Sequence, residues 1–100
     1  MLRDLFLGFV KIHILHHAAR QPVYGLWLIE ELSRHGYNLS PGTLYPTLRR
    51  LETQGYLQYE KRVEGGRVRK YYTVTEKGRQ ALTEARHYIK ELTQELLEDE

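Results

Sequence analysis

Residues 39–52, LSPGTLYPTLRRLE, constrain the fold of this chain most because they carry two different surfaces at helical spacing. Leu44, Leu48 and Leu51 fall on one face of a helix that turns about 100° per residue. The opposite face carries small, aromatic and cationic side chains, namely Gly42, Tyr45, Pro46, Arg49 and Thr53. The pattern predicts a helix over 41–54 that packs on a core and presents a cationic side to a partner.

Signals for both ends of this helix are present. Ser40 followed by Pro41 is typical of a cap and a first helical position, and Gly55 predicts the end. Pro46 leaves two alternatives open. A start at Pro41 places Pro46 inside the helix, where it removes one hydrogen bond and should bend the axis. A start capped by Thr43 would place it in the tolerated first turn. We favour the earlier start with a local distortion.

Two further amphipathic helices precede this segment. Residues 3–19 carry two apolar stripes, one with Leu5, Phe6, Phe9 and Ile12 and the other with Leu7, Val10 and Ile14. A helix that is apolar on two sides must be covered on two sides, and we expect another chain to supply part of that cover. Residues 24–35 repeat the helical pattern through Tyr24, Leu28 and Leu32, and Gly36 predicts its end.

A basic hairpin is predicted after the helix, with strands over residues 57–63 and 68–74 whose side chains alternate. The turn between them is Glu64-Gly65-Gly66-Arg67. Residues 49–79 hold nine Lys or Arg against four Glu, whereas residues 80–100 hold two against six acids. Positive charge is therefore concentrated where the helix and hairpin lie, as binding of a polyanion requires.

A last helix is predicted from about 76 to 97, capped by Thr75. Its apolar residues are spaced 3-4-3-4, as in a heptad seam: Leu82, Ala85, Ile89, Leu92 and Leu96. So long a helix has too little partner surface in its own domain, so we expect the seam to pack on a second subunit. We divide the single domain into residues 1–74, a DNA-binding part, and residues 75–100, a dimerisation helix.

Composition excludes several classes of protein. The chain has no cysteine, so disulfides, zinc-finger ligand sets and thiol nucleophiles are excluded. Its two serines, Ser33 and Ser40, lie in no nucleophile-elbow pattern, and we predict neither an enzyme nor a cofactor. No signal peptide or bilayer-length apolar run is found, so a cytoplasmic protein is expected.

Three histidines near the N-terminus could suggest a metal site. His13 and His17 are four residues apart, while His16 is adjacent. No carboxylate or cysteine completes a ligand set nearby on that helix. We interpret them as ordinary surface or interface histidines and predict no metal.

A set of ordered motifs between residues 20 and 80 resembles the PadR family of bacterial and archaeal transcriptional regulators. The motifs are Tyr24-Gly25, the LSPGTLYP run from Leu39 to Pro46, Arg50-Leu51-Glu52, Gly55-Tyr56-Leu57, Gly65-Gly66-Arg67, Lys70-Tyr71-Tyr72 and Thr75-Glu76-Lys77-Gly78-Arg79. The resemblance implies an α+β, mostly α-helical winged helix-turn-helix that forms a homodimer through its first and last helices. It implies a recognition helix at 41–54, a wing at 58–73, and the short branch of the family with one C-terminal helix.

These observations together predict three sets of functional residues. The predicted contacts to double-stranded DNA are Ser40, Pro41, Gly42, Thr43, Tyr45, Arg49, Arg50, Lys61, Gly66, Arg67, Arg69 and Lys70. The predicted dimer contacts are Leu5, Phe6, Phe9, Leu82, Ala85, Ile89, Leu92 and Leu96. Drug-binding relatives stack a ligand on a tryptophan of the last helix, where this chain has only Tyr88 as an aromatic residue. Tyr88 and Trp27, on another helix, are therefore the candidate contacts for a small hydrophobic effector.

The function predicted from the sequence is a homodimeric repressor that reads a pseudo-palindromic operator. Its two recognition helices should enter successive major grooves, about 34 Å apart. Two alternatives stay open. A protein-interaction module would use the winged helix and the heptad seam to bind another protein, and a sensor would bind a ligand and release DNA as its output.

Overall fold

The computed structural model describes residues 1–98, in which helices and strands follow in the order α-α-α-β-β-α. The helices are α1 (Leu2–Arg20), α2 (Gly25–Arg34), α3 (Pro41–Thr53) and α4 (Glu76–Glu98), and the strands are β1 (Leu57–Glu64) and β2 (Arg67–Val74). The strands form one antiparallel sheet. The predicted winged-helix class, mostly α-helical with a two-stranded wing, is confirmed. None of the described helices has the length and apolarity to cross a membrane.

The leucine face of α3 lies at the centre of the core. Leu44 and Leu48 are fully buried and Leu51 nearly so, as the helical spacing predicts. Each of the other elements contributes residues to the same cluster: Val10 and Ile14 from α1, Leu28 and Leu32 from α2, Leu57 from β1, Tyr72 and Val74 from β2, and Leu82 from α4. Burial of this one face, with Thr47 beside the leucines, fixes the rotation of α3 about its own axis.

The ends of α2 and α3 lie where glycine signals predicted them. Gly36 and Gly55 follow the two helices with φ of 90° and 86°, values that glycine adopts without a steric penalty. Ser40 is the N-cap of α3, but its hydroxyl bonds the Thr43 hydroxyl at 3.3 Å instead of a backbone amide. The helix begins at Pro41 and contains Pro46, so the earlier of the two predicted starts is confirmed. The expected bend of its axis stays a prediction.

The wing is a tight hairpin that is tied to the rest of the fold by one extra backbone pairing. Strand residues pair from Leu57 opposite Val74 to Glu64 opposite Arg67, leaving Gly65 and Gly66 as a two-residue turn. Both glycines have positive φ, as this type of hairpin turn requires. Val23, between α1 and α2, exchanges two backbone hydrogen bonds with Tyr72, of 3.0 and 2.7 Å.

Thr75 connects the end of α3 with the start of α4. Its hydroxyl donates to the Gly55 carbonyl at 2.5 Å and accepts the Gly78 amide at 3.1 Å, so the predicted cap is confirmed. Lys77 donates to the Gln54 carbonyl at 2.6 Å from the same turn of α4. The direction of α4 is therefore set by side-chain bonds to the C-terminal end of α3.

Beyond its first two turns, α4 leaves the core. Gly78 and Leu82 are its only buried residues among those described. Leu82, a predicted dimer contact, packs in the core of its own protomer with 4% of its surface exposed, which leaves little of it for a second subunit. Phe6, another predicted dimer contact, is half-buried, and its ring centre lies 5.2 Å from that of Tyr37. The apolar side chains that remain exposed on α1 and α4 are Leu2, Leu5, Phe9, Ile89, Leu92, Leu96 and Leu97.

We expect Gly78→Ala to destabilise the protein by about 1–3 kcal/mol because the added methyl overpacks a closed contact. A Cβ at Gly78 would overlap the carbonyl oxygen of Tyr56 and lie 2.5 Å from Val74 Cγ2. Alanine in an open helical position would instead stabilise by roughly 0.5–1 kcal/mol. Urea denaturation at fixed protein concentration measures the difference.

Gly42→Ala is the matched control, because a Cβ there meets only Ser40 Oγ at 3.7 Å. We expect it to be neutral or stabilising. A Gly78→Ala protein as stable as the Gly42→Ala protein would contradict the docking of α4 against the start of β1.

Candidate nucleic-acid interface

A groove of about 940 Å³ lies between α3 and the wing. Five of the predicted DNA contacts line it: Tyr45, Arg49, Arg67, Arg69 and Lys70. Its other lining residues are Tyr24, Gly25, Leu26, Pro46, Glu52, Thr53, Tyr59, Val68 and Tyr72. The fold therefore brings the cationic side of α3 and the second strand of the wing to one concave surface.

The polar face of α3 points away from the core along its whole length. Tyr45 is 45% exposed, and Arg49 and Arg50 are also exposed. A helix with such a face fits the major groove of B-DNA, which is about 12 Å wide. Arginine can bond guanine through two donors or bind a phosphate, and tyrosine can bond a phosphate.

The N-terminus of α3 lies at the surface beside this face. Ser40, Pro41 and Gly42 are exposed and Thr43 is half-buried. The Ser40 carbonyl accepts the amides of Thr43 and Leu44, both at 3.0 Å, while the hydroxyls of Ser40 and Thr43 remain together at the surface. The positive end of the helix dipole and these two hydroxyls suit a phosphate oxygen.

Two cations of the wing lie over the faces of tyrosine rings. The Arg69 guanidinium lies 4.4 Å from the ring centre of Tyr24, and the Lys70 ammonium lies 4.6 Å from that of Tyr59. These rings orient the long side chains without neutralising their charges. Neither tyrosine was among the residues predicted for the site, because Tyr24 lies far from the wing in the sequence and Tyr59 lies on the opposite strand from Lys70.

Two glutamates offset part of the charge of the wing. Glu60 accepts hydrogen bonds of 2.8 and 2.6 Å from Arg62, while Glu64 lies 4.0 Å from Arg69. Glu64 also accepts a 2.5 Å bond from the Tyr71 hydroxyl, which raises the pKa of Tyr71 and keeps that hydroxyl protonated. Ion pairs among the described wing residues thus involve Arg62 and Arg69, whereas Arg67, beside the turn, is exposed and makes none.

Cations also face each other across the two strands. Lys61 pairs with Lys70, and Arg62 pairs with Arg69, at adjacent positions of the hairpin. Like charges directly opposite in a sheet repel each other and cost stability. An anion bound at the wing would relieve this repulsion, so the hairpin is better suited to a polyanion than to bulk solvent.

Gly25 gives the ring of Tyr45 its place on the cationic face. A Cβ at Gly25 would lie 2.5 Å from both Cε1 and Oη of Tyr45. The first turn of α2 and the exposed side of α3 therefore touch only because residue 25 has no side chain. This contact accounts for the glycine in the Tyr24-Gly25 motif.

The two candidate effector residues lie apart in the fold. Trp27 packs partly against the core, with its ring 5.4 Å from that of His17. Tyr88 is exposed on α4 and lines a shallow groove with neighbours that do not include Trp27: Glu76, Arg79, Gln80, Thr83, Glu84 and His87. The effector site stays a prediction, and neither of these two grooves, on the wing side or on α4, contains both residues.

Comparisons with known proteins agree with this geometry. Residues 14–84 match the pattern of the transcriptional regulator PadR-like family. The transcriptional regulator Rv3488 of Mycobacterium tuberculosis is 55% identical over 96 residues, which cover 96% of this chain and 90% of that protein.

Solved structures show the same fold over nearly the whole chain. A PadR-like transcription factor from Bacteroides fragilis superposes with a TM-score of 0.85 at 30% identity, covering 98% of this chain and 96% of the other. A PadR family transcriptional regulator from Eggerthella lenta gives 0.79 at 36% identity, covering 100% and 91%.

We expect Gly25→Ala to weaken binding to duplex DNA while leaving stability nearly unchanged. The added methyl displaces the Tyr45 ring, which is the far end of a flexible, half-exposed side chain and can move at low cost. Each hydrogen bond to DNA that is lost costs about 1 kcal/mol, or roughly fivefold in Kd. Fluorescence anisotropy with labelled duplex and a thermal melt measure the two effects.

Gly8→Ala on α1 is the control, since a Cβ there meets nothing within 4 Å. If the Gly25→Ala protein binds DNA as tightly as the wild type, the position of the Tyr45 ring does not contribute to DNA binding.

Proposed function

Since this chain belongs to the PadR-like family of transcriptional regulators, we propose that it is a homodimeric repressor reading a pseudo-palindromic operator. Membership makes it a DNA-binding transcriptional regulator and not an enzyme. The contact residues, the dimer and the repressor role are the proposal. One observation carries it: the polar face of α3 and three cations of the wing, Arg67, Arg69 and Lys70, line the same open groove.

In the proposed complex α3 enters the major groove. Arg49 and Tyr45 contact base edges or phosphates, and Ser40 and Thr43 contact a phosphate from the helix N-terminus. This arrangement is supported by the exposure of these side chains and by the burial of the leucine face, which leaves only one side of α3 available.

The wing contacts the DNA backbone or the adjacent minor groove. Arg67 is the principal contact because it lies at the tip and makes no ion pair among the described residues, whereas Arg69 is held between Tyr24 and Glu64. Lys70 and Lys61 add charge from the opposite face of the hairpin. The Gly65-Gly66 turn lets the tip approach a sugar-phosphate backbone closely.

Homodimerisation is supported by apolar surface that one protomer leaves uncovered. α4 has 23 residues, about 34 Å of helix, yet it is buried only at its start. Leu92 and Leu96 are 50% and 58% exposed on α4, and Leu5 is 50% exposed on α1, which contacts α4. Packing α1 and α4 of one protomer on those of a second would cover these side chains and hold two α3 helices about one DNA turn apart.

The repressor role rests on the family resemblance and on the geometry of the dimer. A dimer bound across two successive major grooves covers one face of the DNA over its half-sites and blocks other proteins there. Transcription in vitro from a promoter that carries the selected operator should fall as protein is added. A rise in transcript would make the protein an activator.

On the operator selected from a random duplex pool, we expect Arg67→Ala with Arg69→Ala to flatten the salt dependence of binding. Each neutralised phosphate contributes about 0.9 to the log–log slope, so loss of one contact per protomer lowers the slope of a dimer by about 1.8. The selected site should be a pseudo-palindrome. Kd measured over a range of KCl concentrations gives the slope.

Lys90→Ala is the control because it removes one charge from an exposed position of α4, remote from the groove lining. A double variant with the wild-type slope would remove the wing from the mechanism.

We expect Leu92→Glu to raise the dissociation constant of the dimer at least about tenfold, or ~1.4 kcal/mol, because a carboxylate would be buried in the apolar seam. Sedimentation equilibrium measures the oligomeric state directly. Gln94→Glu adds the same charge two residues away, on the other side of the helix. A protein that is monomeric before mutation, or one in which both variants behave alike, would contradict dimerisation through α4.

A further inference from the structure

Two pairs of metal-binding side chains face each other between α1 and α2. His13 and His17 lie one helical turn apart on α1, and Glu31 and His35 lie one turn apart at the end of α2. Side chains four residues apart lie on the same face of a helix. From the sequence alone only His13 and His17 could be considered together, because Glu31 and His35 lie at the end of another helix.

The donor atoms of these residues are close together. One ring nitrogen from each of His13, His17 and His35 lies within 4.8 Å of the other two. Glu31 Oε2 is 3.0 Å from His35 Nε2 and 3.8 Å from His17 Nε2. Tetrahedral zinc with bonds of about 2.0–2.1 Å spaces its ligand atoms roughly 3.3 Å apart. The Glu31 distances bracket that spacing, and the three histidine nitrogens lie within 4.8 Å of one another, close enough to share one ion.

His17 also carries a polar atom that the fold leaves without a partner. Its Nε2 is buried and makes no hydrogen bond with the described residues. A buried nitrogen without a partner is costly, and a bound ion is one of the few things that account for it. The nitrogen lies beside the carboxylate of Glu31, 3.8 Å away, where a cation would satisfy both groups.

The surroundings lower the pKa of three of these four side chains. Burial lowers the pKa of His13 and of His17, so both rings are neutral at neutral pH. The hydrogen bond with His35 lowers the pKa of Glu31, which stays ionised. The second oxygen of Glu31 accepts a 3.1 Å bond from Arg34, which fixes the orientation of the carboxylate.

We infer that His13, His17, His35 and Glu31 form a binding site for one divalent transition-metal ion of the zinc class. Three imidazoles and one carboxylate are a nitrogen and oxygen donor set suited to Zn²⁺, and also to Co²⁺ or Ni²⁺. The ion coordinates the lone pairs of His17 Nε2 and His35 Nε2 in the tautomers that carry the ring proton on Nδ1, and so takes the place of the hydrogen bond between His35 and Glu31. It joins α1 to α2 by bonds that neither helix can make alone.

This site lies away from the DNA groove. None of its four residues is among those that line the space between α3 and the wing. Metal binding can therefore be tested on the free protein, and its failure would leave the DNA-binding proposal unaffected.

The test is titration of tag-free, chelator-stripped full-length protein with ZnCl₂. Trp27 is the only tryptophan, and its ring lies 5.4 Å from that of His17, so its fluorescence should change on binding. We expect one Zn²⁺ per chain by calorimetry and a melting temperature that rises with zinc concentration by mass action. Titration with CoCl₂ should give the visible absorption bands of a tetrahedral Co²⁺ site.

His17→Ala and Glu31→Gln test the ligands. Loss of groups that only orient metal ligands weakens binding about 10–100-fold, so loss of a ligand should cost at least this much. Glu31→Gln keeps the size and shape of the side chain and thus guards against a general folding defect in His17→Ala. Circular dichroism confirms the fold of each variant before titration.

Two histidines outside the cluster serve as controls. His16 lies next to His17 in the sequence, with its ring 5.1 Å from that of His17, and His87 is exposed on α4. Their alanine variants should bind Zn²⁺ as the wild type does. A wild type with no stoichiometric binding, or equal loss in controls and ligand variants, would overturn the site.

Discussion

Packing of the leucine face of α3 into the core is the interaction on which the rest of the structure depends. Leu44 and Leu48 are completely buried, and every other element contributes to the cluster that surrounds them. Because that face is held, only the side with Tyr45 and Arg49 can meet a partner. Truncation of a fully buried leucine costs about 2–5 kcal/mol, so the same side chains set both the stability of the domain and the orientation of its cationic helix.

Like charges face each other across the strands of the wing, and nearby tyrosines and glutamates offset their repulsion only in part. Lys61 opposes Lys70 and Arg62 opposes Arg69, while Tyr24, Tyr59 and Tyr71 lie beneath three of these cations. Two like-charged pairs therefore remain opposite each other in a hairpin that lies on the cationic side of the domain. The backbone pairing of Tyr72 with Val23, together with Leu57 and Val74 in the core, attaches this hairpin to the body of the domain.

Much of the candidate site could be read from the sequence, because helical spacing and strand alternation are local properties. The exposed and buried faces of α3, the turn at Gly65-Gly66 and the cap at Thr75 follow from residues within a few positions of each other. Contacts between elements could not be read in the same way. The approach of Tyr45 to Gly25, the position of Arg69 on Tyr24 and the pairing of Val23 with Tyr72 join residues 20 to 49 positions apart.

By itself, the sequence determined which segments form helices and strands, where they end and which faces are apolar, because periodicity and capping act over one or two turns. Only the tertiary structure decided which apolar residues are buried within a protomer and which stay exposed on its surface. Leu82 shares the spacing of Leu92 yet lies in the core, because α4 leaves the domain between them. The tertiary structure also brought His35 and Glu31 to His13 and His17, since packing α2 on α1 unites groups that no spacing along the chain connects.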